Sequence, residues 1–387
     1  EQVLPRLGEA GVYLTVLADL LADLFDEVRV TLPDRPESAA VKGNNDMVAL
    51  IANAIRDRER PLREDLSIGF GLVRLRITVA ESRQIVREAR RRYRRHNAAR
   101  SYVENEFFAA LARSHSSEPD PENVQYRLRR DPKISEALER MWPVLTPAQL
   151  LRDLFGSKAL LASASTELLS EDKWSTLFRP RGDSVSDYRW SDADVPLLDE
   201  AYAGLGPRLD RQRKPRDPEV RTFGHIVIDE TQDHTPMALR MIARRSLNGS
   251  MTLVGDIAQA TAPGAAANWE EVLTHLPSGS NEPRVRELTL SYRIPAPNLE
   301  LANKVLALAA PDLATPKAVR SVGSPPRIIE VDGGELAPIE RLVERSVEIV
   351  EEESEAVSYT HLRAHETPEQ RVLRRRREKK KGGGGGG

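Results

Sequence analysis

Cysteine is absent from all 387 residues, which excludes disulfides, thiolate-bound zinc and thiol catalysis in any compartment. Histidine is scarce at seven, and none pair at a spacing that suggests a metal site. No apolar run approaches the roughly 18 residues that span a bilayer. The N-terminal stretch also lacks the layout of a signal peptide, so the protein reads as cytoplasmic. Aromatic residues make up 5%, which leaves few rings for a surface built on stacking. What remains is a globular composition, 40% hydrophobic and 30% charged, in a chain long enough for two or three domains of about 100–200 residues.

The net charge of −2 conceals an asymmetry. Residues 357–387 hold nine Lys or Arg against three Glu, a net of +6, so residues 1–356 carry −8. A like-charge block of this kind fits a solvated nucleic-acid arm. The preceding "VSYTHLRAHET", however, resembles the translation of a transposase-type sequencing adapter, with the Lys and Gly runs read from homopolymers. Residues 357–387 are therefore expected to be disordered and to take no part in the fold.

"EQVLPRLGEAG" has helical spacing and ends in glycine, ahead of the β-branched run "VYLTV". Residues 44–170 read as almost wholly helical, with "DMVALIANAIRDRERP" and "ISEALERMWPVLTPAQLLRDLF" as amphipathic segments. Within this block Arg83 is followed by seven more arginines up to Arg100. They form either a phosphate-contacting stripe or a solvated helix face paired with acids. Residues 171–222 read as irregular connection, with "DVPLLDEAYAGL" as a short helix.

After Thr222 the pattern alternates. "HIVID", "SMTLVGD" and "VRELTLSYR" read as strands, and "TPMALRMIARRS", "NWEEVLTHL" and "APNLELANKVLALA" as helices. Alternation of this kind predicts a parallel sheet flanked by helices. Ligands bind such sheets at the carboxyl ends of the strands. The three strands end in the polar tips "DETQD", "GDIAQ" and "SYR", which are expected to gather along one edge. A nucleoside triphosphate with Mg2+ needs a carboxylate for the metal, one for the attacking water, and cations for the γ-phosphoryl charge. Asp229 and Glu230 supply the carboxylates, Gln259 an amide for the γ-phosphate or water, Arg293 a fixed charge and Tyr292 a ring face.

"VIDETQD", "LVGDIAQ" and "LTLSYR" resemble, in order and spacing, the second, third and fourth motifs of superfamily 1 helicases of the UvrD and Rep type. The resemblance implies an ATP hydrolase. Asp229 would hold Mg2+, Glu230 would be the catalytic base, Gln259 and Arg293 would contact the γ-phosphate, and Tyr292 would stack on adenine. Thr231 stands where the family usually has Ala. The implied fold is a partial RecA-like P-loop sheet interrupted by a large helical insertion.

No G-x-x-x-x-G-K-[ST] sequence occurs, so the loop that cradles phosphates is missing. The chain is accordingly expected to be an internal piece of a larger motor, inactive by itself. "KGNNDMVALIANAIRDRERPL", "WPVLTPAQLLRDLFGS" and "HTPMALRMIARRSLNGSMTLVGDIAQAT" resemble the actinobacterial HelD proteins, helicase-like ATPases that bind RNA polymerase and release it from nucleic acid. The likeness divides the chain into a motor remnant (1–38), a partner-binding helical insertion (39–190), a connection (191–222), the rest of the first motor domain (223–322) and the start of a second (323–356), where "PPRIIEV" reads as a first strand. A DNA helicase with the same core is the other reading. Its weakness is the stretch after Gln259, which offers no aromatic until Trp269, and the amphipathic spacing of "WEEVL" assigns that ring to the core.

If residues 357–387 are adapter-derived, deleting them leaves the melting temperature unchanged. A lower melting temperature on deletion would show that the tail is part of the protein.

Overall fold

The computed structural model describes residues 12–22, 28, 30, 31, 33–181, 187–209, 215, 220–264, 266, 268–277, 282–311, 313–323, 326, 345–347 and 349. The helix expected at the start, most of "PPRIIEV" and the tail lie outside these residues. The helical part runs α1 (Asp19–Ala22), α2 (Pro36–Gly43), α3 (Asp46–Arg56), β1 (Leu66–Phe70), β2 (Val73–Ile77), α4 (Val79–Arg92), α5 (His96–Arg113), α6 (Pro121–Leu128), α7 (Pro132–Met141), α8 (Pro147–Phe155), α9 (Lys158–Ala164), α10 (Glu171–Ser175) and α11 (Val195–Leu205). The alternating part runs β3 (Ile226–Ile228), α12 (Pro236–Ala243), β4 (Met251–Leu253), α13 (Trp269–Thr274), β5 (Leu290–Ser291), α14 (Ala296–Ala309) and β6 (Lys317–Ala318). The protein is a mixed α/β chain, mostly helical, and the described residues form three two-stranded sheets, two of them parallel.

Local chemistry sets the helix starts. Thr78 with Glu81, and Thr146 with Gln149, close capping boxes at α4 and α8. Asp120, Asp131 and Thr235 cap α6, α7 and α12, each followed directly by proline.

Two units emerge, Glu1–Arg286 and Glu287–Gly387. The first unit holds two large apolar cores. One joins Met47, Leu50 and Ile51 of α3, Leu151, Leu154 and Phe155 of α8, Leu197 and Leu198 of α11, and Met237 and Met241 of α12. The other joins Leu75 and Ile77 of β2 to α4–α7 through Ile85, Phe107, Phe108, Ile134 and Met141. Residues 39–190 are thus shared between cores. Met47–Ile55 and the stretch from Leu145 onward pack with α11 and α12, while Leu62–Trp142 form the second core.

The expectation of an almost wholly helical block fails at β1 and β2, which pair antiparallel with Ile68 opposite Leu75. Ile68, Leu75 and Ile77 turn inward while Ser67, Gly69, Arg74 and Arg76 stay exposed, a period of two that the surrounding helices obscure in the sequence. Gly71, at φ +62°, opens the two-residue turn, as glycine at this position of a hairpin can.

The short helix expected within the connection at "DVPLLDEAYAGL" is α11, and it is largely buried in the first core. Apolar residues surround it, and its charged positions are neutralised from outside. Asp194, at its start, receives Lys42 Nζ at 2.9 Å and Arg179 Nη1 at 2.8 Å. Burial alone would raise the Asp194 carboxyl, but Lys42 and Arg179 outweigh it and hold the group below the usual carboxylate range. One turn on, Asp199 receives Arg245 Nη2 at 2.7 Å and Arg244 Nε at 2.7 Å, and Glu200 receives Arg240 Nε at 2.8 Å.

The alternation after Thr222 is present, and β3 pairs parallel with β4 across the α12 crossover. In the second unit, among the described residues, β5 pairs parallel with β6. The β3–β4 pair is also covered on one face only. Ile228 is buried while Val227 is 66% exposed, whereas a doubly wound sheet buries both faces. No helix among the described residues is long and apolar enough to cross a membrane.

Arg245 is 2% exposed, so Asp199→Ala strands a buried cation and is expected to cost about 3–5 kcal/mol in urea denaturation. Glu88→Ala, which removes an exposed partner of Arg91 and Arg92, leaves the midpoint unchanged.

Candidate functional site

Parallel pairing of β3 with β4 brings the two following turns side by side. Val254 N–H donates to Ile228 O at 2.8 Å, and Thr231 N–H returns to Val254 O at 2.9 Å. Asp229 and Glu230 leave β3 exposed, and Glu230 takes a left-handed backbone, φ 48° and ψ 44°. A residue with a Cβ adopts that conformation at a cost of order 1–2 kcal/mol, and such strain concentrates at functional sites. Nothing in the sequence marks it.

Gln232 joins the two turns. Only 2% exposed, it donates from Nε2 to Glu230 Oε2 at 2.8 Å and accepts from the Asp256 N–H on Oε1 at 3.0 Å. Asp256 in turn accepts from the Gln259 Nε2 at 2.8 Å through its own carboxylate. A continuous line of hydrogen bonds therefore runs from Glu230 through Gln232 and Asp256 to Gln259. Gly255 is required beneath it, because a Cβ there would lie 2.3 Å from Gln232 Oε1 and 3.0 Å from Thr231 N. Sequence reasoning missed Gln232, Gly255 and Asp256 as positioning residues; the recurrence of Gln and Asp in both tips was the available signal.

Thr231 is fully buried, and its hydroxyl donates to Ile228 O at 3.3 Å. The polar atom that distinguishes it from Ala is thereby satisfied within its own strand. Asp233 accepts from the Thr261 N–H at 3.1 Å, a second tie between the turns. Burial keeps His234 below the usual imidazole range, outweighing Asp233, so this ring is neutral near pH 7.

Of the five candidate residues, Asp229, Glu230 and Gln259 stand on the β3 and β4 turns in the first unit. Tyr292, 68% exposed, and Arg293, also exposed, follow β5 in the second. Among the described residues no group of three or more His, Asp or Glu is arranged to hold a metal. Asp229 alone would offer Mg2+ a single carboxylate. That suits an ion which keeps most of its waters and takes phosphate oxygens, but the sequence supplies no phosphate-binding loop. The fit to Mg2+ and ATP is partial.

The arginine stretch favours the solvated-face reading over much of its length. Arg90 meets Glu59 at 2.6 Å, Arg91 meets Glu88 at 2.8 Å and Arg100 meets Glu139 at 2.8 Å. Trp269 is half-buried against a third, small cluster of Leu239, Ala266 and Val272. No model of a known protein family matches the sequence. No curated protein matches it either.

Gly255→Ala is expected to cost about 1–3 kcal/mol by overpacking. In a Gln232→Ala background the penalty shrinks, because the atom it strikes is gone. Chemical denaturation of the four proteins of that cycle checks this; strictly additive effects would show that the two residues do not meet.

Proposed function

We propose that this chain carries part of the nucleotide site of an ATP-driven, helicase-like motor, and that the motor acts on RNA polymerase in the manner of the HelD-type factors it resembles. The hydrogen-bonded junction through Gln232 is the observation that carries this reading. It couples the two turns whose residues the reading assigns to one phosphate, Glu230 and Gln259, and it leaves both side chains exposed. In this account Asp229 holds Mg2+. Glu230 Oε2 is engaged by Gln232, so the other oxygen orients the attacking water, and Gln259 exchanges Asp256 for the γ-phosphate. Tyr292 and Arg293 retain the adenine and γ-phosphate roles that the resemblance implies.

RNA polymerase is preferred to single-stranded DNA as the partner of the helical block because most of its rings are already engaged, Tyr126 at 82% exposed standing apart as an open one. Phe70 lies under Arg127 at 4.5 Å and Tyr102 under Arg92 at 5.0 Å. Trp142 stacks on His96 at 5.0 Å, and Phe107 abuts Phe108. A surface that grips bases leaves its aromatic faces open. DNA contact, in this reading, is weak, backbone-driven and salt-dependent.

Two measurements on the full chain test the proposal. In NMR titration, millimolar Mg2+ and ATP are expected to move the amide signals of residues 229–232 and 256–259, with no hydrolysis because the phosphate cradle is missing. In a pull-down the chain is expected to retain RNA polymerase, and replacing residues 61–140 by a short Gly-Ser linker to abolish that retention. No signal movement would remove the nucleotide reading. Firm single-strand DNA binding without polymerase retention would favour the DNA helicase instead.

A further inference from the structure

The turn "SLNGS", residues 246–250, leads into β4 and contains the only Asn–Gly pair in the chain. Asparagine is among the residues that chemistry degrades most readily in a folded protein. Glycine is the follower that obstructs this chemistry least, because no Cβ stands beside the main-chain nitrogen that attacks the side-chain amide. Asn248 is exposed, so water reaches it. Gly249, at φ +76°, takes a left-handed conformation that costs glycine little.

The structure holds both reacting groups. Asn248 Oδ1 accepts the Ser250 N–H at 3.0 Å, the two-residue span of an Asx turn. This bond fixes the side-chain carbonyl against its own main chain and places a donor on the oxygen where negative charge develops when Cγ is attacked. The Gly249 N–H, whose nitrogen is the nucleophile, donates to Ser246 Oγ at 2.9 Å. A nitrogen engaged in this way keeps its proton, and its peptide plane stays where the hydroxyl holds it. One hydrogen bond therefore activates the electrophile while the other restrains the nucleophile.

We propose that Asn248 is a site of spontaneous deamidation whose rate is set by the Ser246 hydroxyl. The Gly249 nitrogen bonds to Asn248 Cγ, the Cγ–Nδ2 bond breaks, and ammonia leaves with the proton that the nitrogen gave up, closing a succinimide. Water then opens the ring at either carbonyl, giving aspartate or isoaspartate. The reaction requires only water and does not depend on the nucleotide reading. Its effect reaches the β3 and β4 turns, because the turn is pinned on both sides, by the Leu247 N–H to Phe223 O at 3.0 Å and by the Ile226 N–H to Ser250 O at 3.1 Å. Isoaspartate routes the main chain through the former side chain and lengthens it between these pins, so one of them gives way and β4 shifts against β3. The bond from the Asp256 N–H to Gln232 Oε1 then loses its register.

The folded full chain is incubated at mildly alkaline pH, well below the melting transition of each variant, and digested. The peptide carrying residue 248 is followed by mass spectrometry, with an isoaspartate assay on the same samples. Wild type is expected to convert slowly and Ser246→Ala roughly three- to tenfold faster, as release of one neutral hydrogen bond allows. Ser246→Thr, which keeps the hydroxyl, is expected to return to the wild-type rate, and converted wild type to melt lower than fresh protein. No conversion in folded wild type and Ser246→Ala, while the urea-unfolded chain converts, overturns the site. A Ser246→Ala rate no higher than wild type, or a Ser246→Thr rate as high as that of Ser246→Ala, overturns the role of the hydroxyl.

Discussion

Everything in the first unit that positions the candidate site leans on the carboxylates of α11. Asp194, just ahead of α11, and Asp199 and Glu200 on it are buried, where an unpaired charge would cost several kcal/mol. Each is met by cations from different elements: Lys42 from α2, Arg179 from the segment before α11, and Arg240, Arg244 and Arg245 at the end of α12. The same pairings that permit burial therefore dictate which elements surround the helix. Lys42 is itself fully buried, so α2 and α11 hold each other in place by mutual need.

The consequence reaches the site through α12. This helix follows the β3 turn and leads into β4, and its C-terminal arginines are bound to α11. With the crossover anchored, β3 and β4 meet in register, and Gln232 spans the turns after them. The left-handed Glu230 is tolerated in that frame because Gln232 holds its carboxylate and Asp229 Oδ1 accepts its N–H at 3.0 Å. Close packing reinforces the arrangement. A Cβ on Gly43 of α2 would strike Thr235, the cap of α12, at 2.7 Å.

Charge is distributed by a different logic in the second core. There the acids serve as helix caps and internal partners, as with Glu81, Asp120, Asp131 and Glu59, and many arginines are left at the surface. A mixed sequence thus becomes a cationic lobe.

Much was legible in the residues themselves. Amphipathic spacing located α3, α7, α8 and α11, and the strand–helix alternation after Thr222 located β3, α12, β4, α13, β5 and α14, because these signals are local. Asp229, Glu230 and Gln259 were likewise visible as polar tips on apolar runs. Three things were decided only by tertiary structure. The β1–β2 hairpin was hidden because its twelve residues sit among longer helical patterns. The pairing of β5 with β6 depends on partners that strand propensity does not specify. The centrality of α11 and the role of Gln232 depend on contacts with residues remote in sequence, Lys42 and Arg245 for α11 and Asp256 for Gln232. Periodicity reports which face of an element is apolar, but not which distant charge or amide will come to meet it.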